Sequence, residues 1–318
     1  MTRVVLDQGT KAWLARIEQI TARLAASEAR PDDHRELMRR VSDELFSEFG
    51  VPVDDAVEVL DHTVPVGGGT IRVRQYRPAG ASGPIPAYLL MHGGAFSHGS
   101  IDEAFNRARA TQRAVEADVA VFDVDYRLAP EHPFPTALED AYATLAWVHE
   151  NRVALQVDAA RVVVGGESAG GNLAAALGQL ARDRGGPAIV GQILEVPVLD
   201  LREGVVWQAD HAAANNITVP ADLQALYGPG VSPDSPYFSP AAGELAGLPP
   251  THVITAEYDP LTPTTEQYVE DLRQAGVEVS ATRHLGMLHG SASVTARVRG
   301  ARLWAAEVCL VLREMTAG

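Results

Sequence analysis

The serine at the centre of GESAG, residues 166–170, is the side chain of this sequence best placed to do chemistry. A serine hydroxyl attacks a carbonyl carbon only when a base takes its proton and hydrogen-bond donors stabilise the resulting oxyanion. The segment follows the β-branched run 162–164 and leads into a helix-prone stretch. A sharp turn from strand to helix would project the hydroxyl and set the oxyanion near free N–H groups. The pattern predicts that Ser168 is a nucleophile, although G-x-S-x-G also occurs in ordinary glycine-rich loops.

A second glycine-rich segment, HGGAF at residues 92–96, follows the apolar run 88–91. Adjacent small residues after a strand leave backbone N–H groups unpaired and within reach of a ligand, as an oxyanion hole requires. A simple glycine turn would explain the two glycines but not their occurrence together with the serine segment. We therefore predict that this loop supplies oxyanion donors.

The base is predicted to be His289, in GMLHG at residues 286–290. A histidine on a glycine-flanked loop after the last strand can reach the serine turn, and its near-neutral pKa suits a group that accepts and returns a proton. Most histidines in such a chain are structural or lie at the surface. His284, at the end of the preceding strand, is the competing candidate.

An acid that orients the base is expected after the buried-type strand 253–256. Asp259 is our choice because Pro260 stiffens the loop and the carboxylate is carried beyond the strand end. Glu257 is the alternative, and either acid could instead cap a helix or lie at the surface. The order serine, aspartate, histidine is the one found in α/β-hydrolases.

The composition excludes several other classes of function. The chain has 318 residues and a formal net charge of −15, which argues against nucleic acid or an anionic membrane as a partner. Cys309 is the only cysteine, so neither a disulfide framework nor a thiolate metal cluster is expected. No H-E-x-x-H, G-x-G-x-x-G or P-loop motif is present, which predicts that no metal and no nucleotide cofactor is used.

Without a signal-peptide pattern or an apolar membrane span, a soluble, cytoplasmic protein is expected.

The rest of the pattern predicts the elements that position these residues. Residues 1–50 have helical apolar spacing and are assigned to a cap, and 51–318 to a catalytic domain with a further cap insertion near 202–230. Short apolar strands are predicted near 87–91, 119–124, 162–165, 189–194, 252–256 and 277–284, with helices near 102–116, 137–151, 169–182, 263–274 and 293–315. This alternation indicates an α/β fold with a mostly parallel sheet covered on both faces. Residues 70–76 alternate polar and apolar for most of their length, as a half-buried antiparallel strand would.

Five motifs in order make the chain similar to the hormone-sensitive-lipase-like (type IV) branch of the α/β-hydrolases. They are HGGAF (92–96), DYRLAPEHPFP (125–135), GESAGGNLA (166–174), AEYDPL (256–261) and GMLHG (286–290). The resemblance extends from about residue 76 to the C-terminus. It implies an eight-stranded, mostly parallel sheet with a helical cap, the α/β-hydrolase fold. It also implies that Ser168, Asp259 and His289 form a catalytic triad.

The same resemblance implies which backbone groups bind the oxyanion. The donors would be the N–H groups of Gly94, Ala95 and Ala169, with Gly93 shaping the loop. Ala95 stands where a third glycine is usual, and its methyl group would restrict bulky alcohols. Ser291 stands where an aromatic residue is frequent, which predicts a more open or polar wall near His289.

These observations predict a serine carboxylesterase that forms an acyl-enzyme with short- to medium-chain or small-molecule esters. Amidase, lactonase or acyltransferase activity on the same triad remains an alternative, as does a non-catalytic small-molecule receptor. Phe96, His98 and Trp207 are candidate residues of the substrate pocket. The resemblance also suggests a homodimer formed through the last strand.

Overall fold

The computed structural model describes residues 5–26, 34–52, 56–202 and 220–317. Eight strands form one sheet in the order β1-β2-β4-β3-β5-β6-β7-β8. The strands are β1 (Val57–Val66), β2 (Gly69–Pro78), β3 (Ile85–Met91), β4 (Ala120–Val124), β5 (Val157–Glu167), β6 (Gly191–Glu195), β7 (Thr251–Ala256) and β8 (Val279–His284). The α-helices among the described residues are α1 (Gln8–Ala25), α2 (His34–Phe49), α3 (Ala104–Ala117), α4 (Thr136–Glu150), α5 (Arg152–Leu155), α6 (Ala169–Arg184), α7 (Pro220–Tyr227), α8 (Thr262–Gln274) and α9 (Arg299–Thr316).

The sheet is mixed but mostly parallel. β1 pairs with β2, and β2 with β4, in the antiparallel sense. From β4 through β3, β5, β6 and β7 to β8, every neighbouring pair is parallel. The predicted α/β-hydrolase fold with an eight-stranded, mostly parallel sheet is thus confirmed. Parallel strands place their carboxyl ends at one edge, so the loops after β3, β5, β7 and β8 lie at the same edge of the molecule.

Burial on both faces explains the apolar runs in the central strands. All residues of β3, β4, β6 and β7 are buried. One apolar layer contains Leu145 of α4 and Leu177 of α6, and the other contains Ala114 of α3 and Trp304 of α9. A strand covered on both faces can be apolar at every position, whereas the alternation predicted for residues 70–76 falls in β2, next to the edge strand β1.

The two N-terminal helices pack on the layer that contains α3 and α9, through Trp13, Ile20 and Leu45 among others. Arg35 of α2 donates hydrogen bonds to the carbonyl oxygens of Ser97 and Ala129, at 2.7 and 2.8 Å. These contacts fasten α2 to loops at the carboxyl edge of the sheet. The assignment of residues 1–50 to a cap stays a prediction. Most of the predicted insertion near 202–230 lies outside the described residues, which resume with α7.

The last helix begins six residues later than its predicted start near 293. Residues Ser291–Ser293 instead form a short 3₁₀ turn, and α9 begins at Arg299. Within the described parts of the chain, no helix combines the length and the apolar character that crossing a membrane would require.

Candidate active site

Ser168 lies on the turn between β5 and α6, in a strained backbone conformation with φ of 56° and ψ of −114°. Such a conformation persists only where the surroundings enforce it. A Cβ on Gly166 would lie 2.5 Å from the carbonyl oxygen of Met91, and one on Gly170 would lie 2.2 Å from the same atom. Both flanking glycines are therefore required by the close approach of β3 to the turn.

Neighbouring backbone holds the serine in this position. The N–H of Ser168 donates to the carbonyl oxygen of Glu195 in β6 at 2.9 Å, and the N–H of Val198 donates to the carbonyl oxygen of Ser168 at 3.1 Å. Because both backbone groups of Ser168 are bonded to the β6 segment, the direction of its Cα–Cβ bond is determined.

The structure brings Ser168, His289 and Asp259 together. The Nε2 atom of His289 lies 2.9 Å from Oγ of Ser168, and its Nδ1 atom lies 2.6 Å from Oδ2 of Asp259. An ionised carboxylate only accepts hydrogen bonds, so Nδ1 carries the proton and Nε2 accepts the hydrogen bond of the serine hydroxyl. The side chain of Asp259 is 1% exposed and that of His289 is 15% exposed.

The other candidate acid and base serve different contacts. Glu257 accepts a hydrogen bond from the N–H of Gly286 at 2.7 Å, which ties the loop after β7 to the loop that carries His289. His284 points its Nε2 atom at Glu307 of α9, at a distance of 2.7 Å. Neither alternative contacts Ser168 in the described part of the chain.

Ser291 holds the turn around His289. Its hydroxyl accepts from the N–H of Leu288 at 2.9 Å and donates to the carbonyl oxygen of Leu288 at 2.7 Å. The residue is fully buried. The hydroxyl is therefore bonded within the turn and does not make the wall near His289 more polar, while the expectation of a more open wall stays a prediction.

The surroundings of His289 raise its pKa above the ordinary value of 6.5. Burial alone lowers the pKa, since it penalises the charged imidazolium. The charge of Asp259, its hydrogen bond and the charge of Glu167 act in the opposite direction and prevail. The site therefore favours the protonated histidine that forms when the serine gives up its proton.

The glycine-rich loop after β3 lies against the serine turn. A Cβ on Gly93 would be 3.3 Å from the carbonyl oxygen of Glu167 and 3.6 Å from Cβ of Ser168. Gly94 and Ala95 have positive φ values of 126° and 49°. No described residue accepts a hydrogen bond from the N–H of Gly94 or Ala95.

Ala169 offers a further N–H beside the same turn. It is the first residue of α6, so its N–H has no partner within the helix. That the N–H groups of Gly94, Ala95 and Ala169 bind an oxyanion stays a prediction.

The three predicted pocket residues have different surroundings. Phe96 has no exposed surface, and its ring stacks on Tyr227 with a centroid separation of 3.7 Å. His98 meets His34 of α2 edge-on at 5.9 Å, and burial lowers the pKa of His98 to about 4. Trp207 lies outside the described residues. The assignment of these residues to a substrate pocket stays a prediction.

A buried ionic layer beneath the serine turn was not expected from the sequence. Arg109 of α3 binds Glu167 at 2.8 Å, and Arg113 binds both carboxylate oxygens of Glu195 at 2.7 and 2.8 Å. All four side chains are less than 10% exposed. The available signal is that two arginines four residues apart alternate with Ala110 and Ala114, which belong to the buried face of the helix. Among the described residues, no group of three or more histidine, cysteine, aspartate or glutamate side chains is arranged to hold a metal ion.

Comparison with known proteins places this site in a wider group. A family model described as the alpha/beta hydrolase fold matches residues 88–293. The carboxylesterase NlhH of Mycobacterium tuberculosis is 40% identical over 243 residues, which are 74% of this chain and 75% of that protein. An ethyl acetate hydrolase of Pseudomonas putida is 35% identical over 244 residues, 70% of this chain and 71% of that protein.

The solved structures agree over nearly the whole chain. An esterase of Pyrobaculum calidifontis superposes with a TM-score of 0.84 at 33% identity, and the match covers 99% of this chain and 100% of that one.

Proposed function

The chain belongs to the hormone-sensitive-lipase-like branch of the α/β-hydrolase fold family and hydrolyses carboxylic esters, and we propose that Ser168, His289 and Asp259 carry the reaction. The observation that supports this assignment best is the unbroken hydrogen-bonded line of 2.9 and 2.6 Å from Ser168 through His289 to Asp259. This arrangement allows a proton to pass from Ser168 to His289 while the charge of the imidazolium stays paired with Asp259.

Acylation begins when Oγ of Ser168 attacks the carbonyl carbon of the ester and its proton passes to Nε2 of His289. The carbonyl double bond opens, and the oxygen takes a negative charge. Collapse of this intermediate breaks the bond to the alkoxy oxygen, which leaves with the proton from His289. Asp259 remains ionised and stabilises the imidazolium in between.

Backbone donors bind the developing negative charge. The N–H groups of Gly94, Ala95 and Ala169 supply hydrogen bonds that need no rearrangement when the charge appears. Gly93 allows the loop to approach the serine turn, because the space of its missing Cβ is bounded by Glu167 and Ser168. Loss of one such donor typically costs about 3–4 kcal/mol of transition-state stabilisation.

Deacylation repeats the sequence with water. His289 takes a proton from water, the hydroxide oxygen attacks the acyl carbon, and Oγ of Ser168 leaves with the proton that His289 returns. The products are a carboxylic acid, an alcohol and the free enzyme. No external cofactor is needed to balance this scheme.

The substrates are small-molecule esters, and we propose that their acyl chains are short to medium in length. The similarity to an ethyl acetate hydrolase supports small acyl and alcohol groups. Ala95 belongs to the proposed oxyanion loop, and its methyl group would restrict the binding of esters with bulky alcohol groups.

A substrate panel tests the proposed function. Hydrolysis of p-nitrophenyl esters from acetate to decanoate is measured with Ser168→Ala as the blank, alongside an anilide and a lactone. The proposal predicts hydrolysis of the shorter esters and covalent labelling of Ser168 by a fluorophosphonate. It is rejected if the blank retains the wild-type rate, or if only the anilide or lactone is cleaved.

A homodimer formed along β8 is also proposed. β8 is the outer strand of the sheet, and Leu303 and Leu310 of the adjacent α9 are 52% and 54% exposed. Light scattering after size-exclusion chromatography should give twice the chain mass, and Leu310→Glu should halve it. A monomer at all concentrations would contradict the dimer.

A further inference from the structure

Glu167, the residue directly before the proposed nucleophile, is one of four buried charged residues that form two ion pairs. Glu167 ends β5 and Glu195 ends β6, and the two are paired neighbours in the parallel register. Arg109 and Arg113 lie one helical turn apart on α3. Each arginine binds one glutamate, so the group contains two buried arginine–glutamate ion pairs.

The two ion pairs differ in their position relative to His289. Glu167 is bonded through the chain to Ser168, whose Oγ lies 2.9 Å from the imidazole. Glu195 lies on the neighbouring strand β6, and its carboxylate is additionally bound by the indole N–H of Trp304 at 2.9 Å. The glutamate of the first pair therefore directly precedes the proposed nucleophile in the chain, while the glutamate of the second pair does not.

From this geometry we infer that Glu167, held by Arg109, is a positioning residue of the ester hydrolysis: its carboxylate supplies a second negative charge that favours the imidazolium form of His289. The inference rests on the proposed function of Ser168 and His289 and extends it to a group that touches neither the substrate nor the reacting atoms. Asp259 supplies the first charge through a direct hydrogen bond, and Glu167 supplies the second through space.

The electrostatic surroundings support this role. The charged groups that act on Glu167 are Arg109 and Arg113 from α3, Glu195 from β6 and His289 from the loop after β8. The charges of Asp259 and Glu167 both raise the pKa of His289, against the effect of burial. In a buried site a charge is poorly screened, so one without a direct contact still shifts a proton equilibrium.

Arg109 is needed to keep the carboxylate ionised where it acts. Burial raises the pKa of Glu167, because the charged form loses its hydration, and the charge of Arg109 opposes this. The guanidinium is in turn held by Asn106, whose Oδ1 accepts from Nη2 at 3.0 Å. The ion pair therefore has a defined orientation, with one guanidinium nitrogen on Glu167 and another on Asn106.

The test compares Glu167→Gln with the matched variant Glu195→Gln. The pH dependence of kcat/KM for p-nitrophenyl acetate is measured at the isosbestic wavelength of the product. The acid limb is the part of this pH profile in which kcat/KM rises as His289 loses its proton. Glu167→Gln should move the acid limb to lower pH by about half a unit to one unit. It should also lower kcat about 3- to 10-fold at neutral pH. Glu167→Asp, which retains the charge, should return the limb to its wild-type position.

The control and a second variant keep the inference open to contradiction. Glu195→Gln removes a buried ion-pair partner and should leave the limb in place. If Glu167→Gln fails to fold because Arg109 is left unpaired, the double variant Arg109→Gln/Glu167→Gln replaces the pair with two amides and should move the limb in the same direction. An unmoved limb in the soluble Glu167 variants, or an equal movement in Glu195→Gln, would overturn the inference.

A second readout separates this inference from the proposed function. The imidazole of His289 is titrated by NMR in the Ser168→Ala background, where no turnover occurs, with and without Glu167→Gln. A lowered midpoint supports the role of Glu167 even if the substrate panel shows no ester hydrolysis. An unchanged midpoint refutes it even if the enzyme is an active esterase.

Discussion

The described part of the chain contains two serine–histidine–carboxylate lines, and the contacts in both are short. In the first, His289 lies 2.9 Å from Ser168 and 2.6 Å from Asp259. In the second, His252 lies 2.7 Å from Oγ of Ser280 and 3.0 Å from Glu307. The same three kinds of side chain thus occur in line at two places on one sheet.

The backbones of the two serines differ. Ser168 lies on a strained turn at the start of α6, with φ of 56°. Ser280 lies within the regular strand β8 and is the cross-strand neighbour of His252 in β7. An ordinary pair of parallel strands is enough to make the second contact, while the first requires a turn that neighbouring backbone enforces.

The carboxylates and the ring nitrogens also differ. Glu307 is shared, because its other oxygen lies 2.7 Å from Nε2 of His284. In the second line Nδ1 faces the serine and Nε2 faces the acid, the reverse of His289. The comparison teaches that a hydrogen-bonded line does not by itself make a nucleophile. The strained turn at Ser168 distinguishes the first line, and we propose that the N–H groups of Gly94, Ala95 and Ala169 do so as well.

The largest difference should appear when each serine is removed. Ser168→Ala should lower kcat for p-nitrophenyl acetate by about 10⁴-fold or more, because the covalent route is lost. Ser280→Ala should change kcat by less than about twofold. Both variants are checked for folding by thermal denaturation, and a Ser280→Ala variant as inactive as Ser168→Ala would break the comparison.

Removing each carboxylate should separate catalysis from stability. Asp259→Asn should lower kcat about 10³- to 10⁴-fold, because the amide no longer stabilises the imidazolium or selects its tautomer. Glu307→Gln should leave kcat within about twofold but lower the free energy of unfolding by about 1–2 kcal/mol, measured by urea denaturation.

The Glu307 effect carries a pH signature. Burial would raise the pKa of Glu307, but its hydrogen bonds to His252 and His284 lower it well below the ordinary value of 4.5. Its contribution to stability is therefore present above that value and is lost as the pH falls below it. A stability difference between wild type and Glu307→Gln that grows on acidification would contradict this assignment.

The loop that carries His289 should need its own support, unlike the strand that carries His252. Ser291→Ala removes the hydroxyl that closes the turn on Leu288, so we expect kcat to fall about 10-fold with little change in KM. Ser280→Ala is the matched control on a regular strand. A wild-type kcat in Ser291→Ala would show that the turn holds His289 without this hydroxyl.

The smallest expected effect concerns the pH dependence of kcat/KM in the wild-type enzyme, at the low-pH side of the profile. The pKa of His289 is raised, and the base must be neutral to accept a proton, so kcat/KM should rise with pH through a midpoint above 6.5. Stabilisation of the fold by the charged His289 has the matching sign: it is present below the ordinary pKa and lost as the pH rises through the raised one. A midpoint at or below 6.5 would mean that burial outweighs Asp259 and Glu167.

Local sequence patterns were enough to predict much of the fold and of the candidate site. The strand–turn–helix around Ser168, the glycine loop 92–96 and the loops with Asp259 and His289 are each readable from a few adjacent residues, because strand runs, glycines and helix starts have local causes. The order of the parallel strands then follows a small set of topological rules. The later start of α9 escaped this reasoning, since the turn at Ser291 depends on a side-chain hydrogen bond to Leu288.

By itself, the sequence determined the fold class, the nucleophile turn and a short choice of acids and bases. Only the tertiary structure decided that Asp259 and not Glu257 contacts His289, that His284 binds Glu307, and that Glu167 has an arginine partner. The physical reason is that these contacts join residues 23 to 58 positions apart, through strand pairing and helix packing. No run of adjacent residues encodes which of two similar side chains will meet across the edge of a sheet.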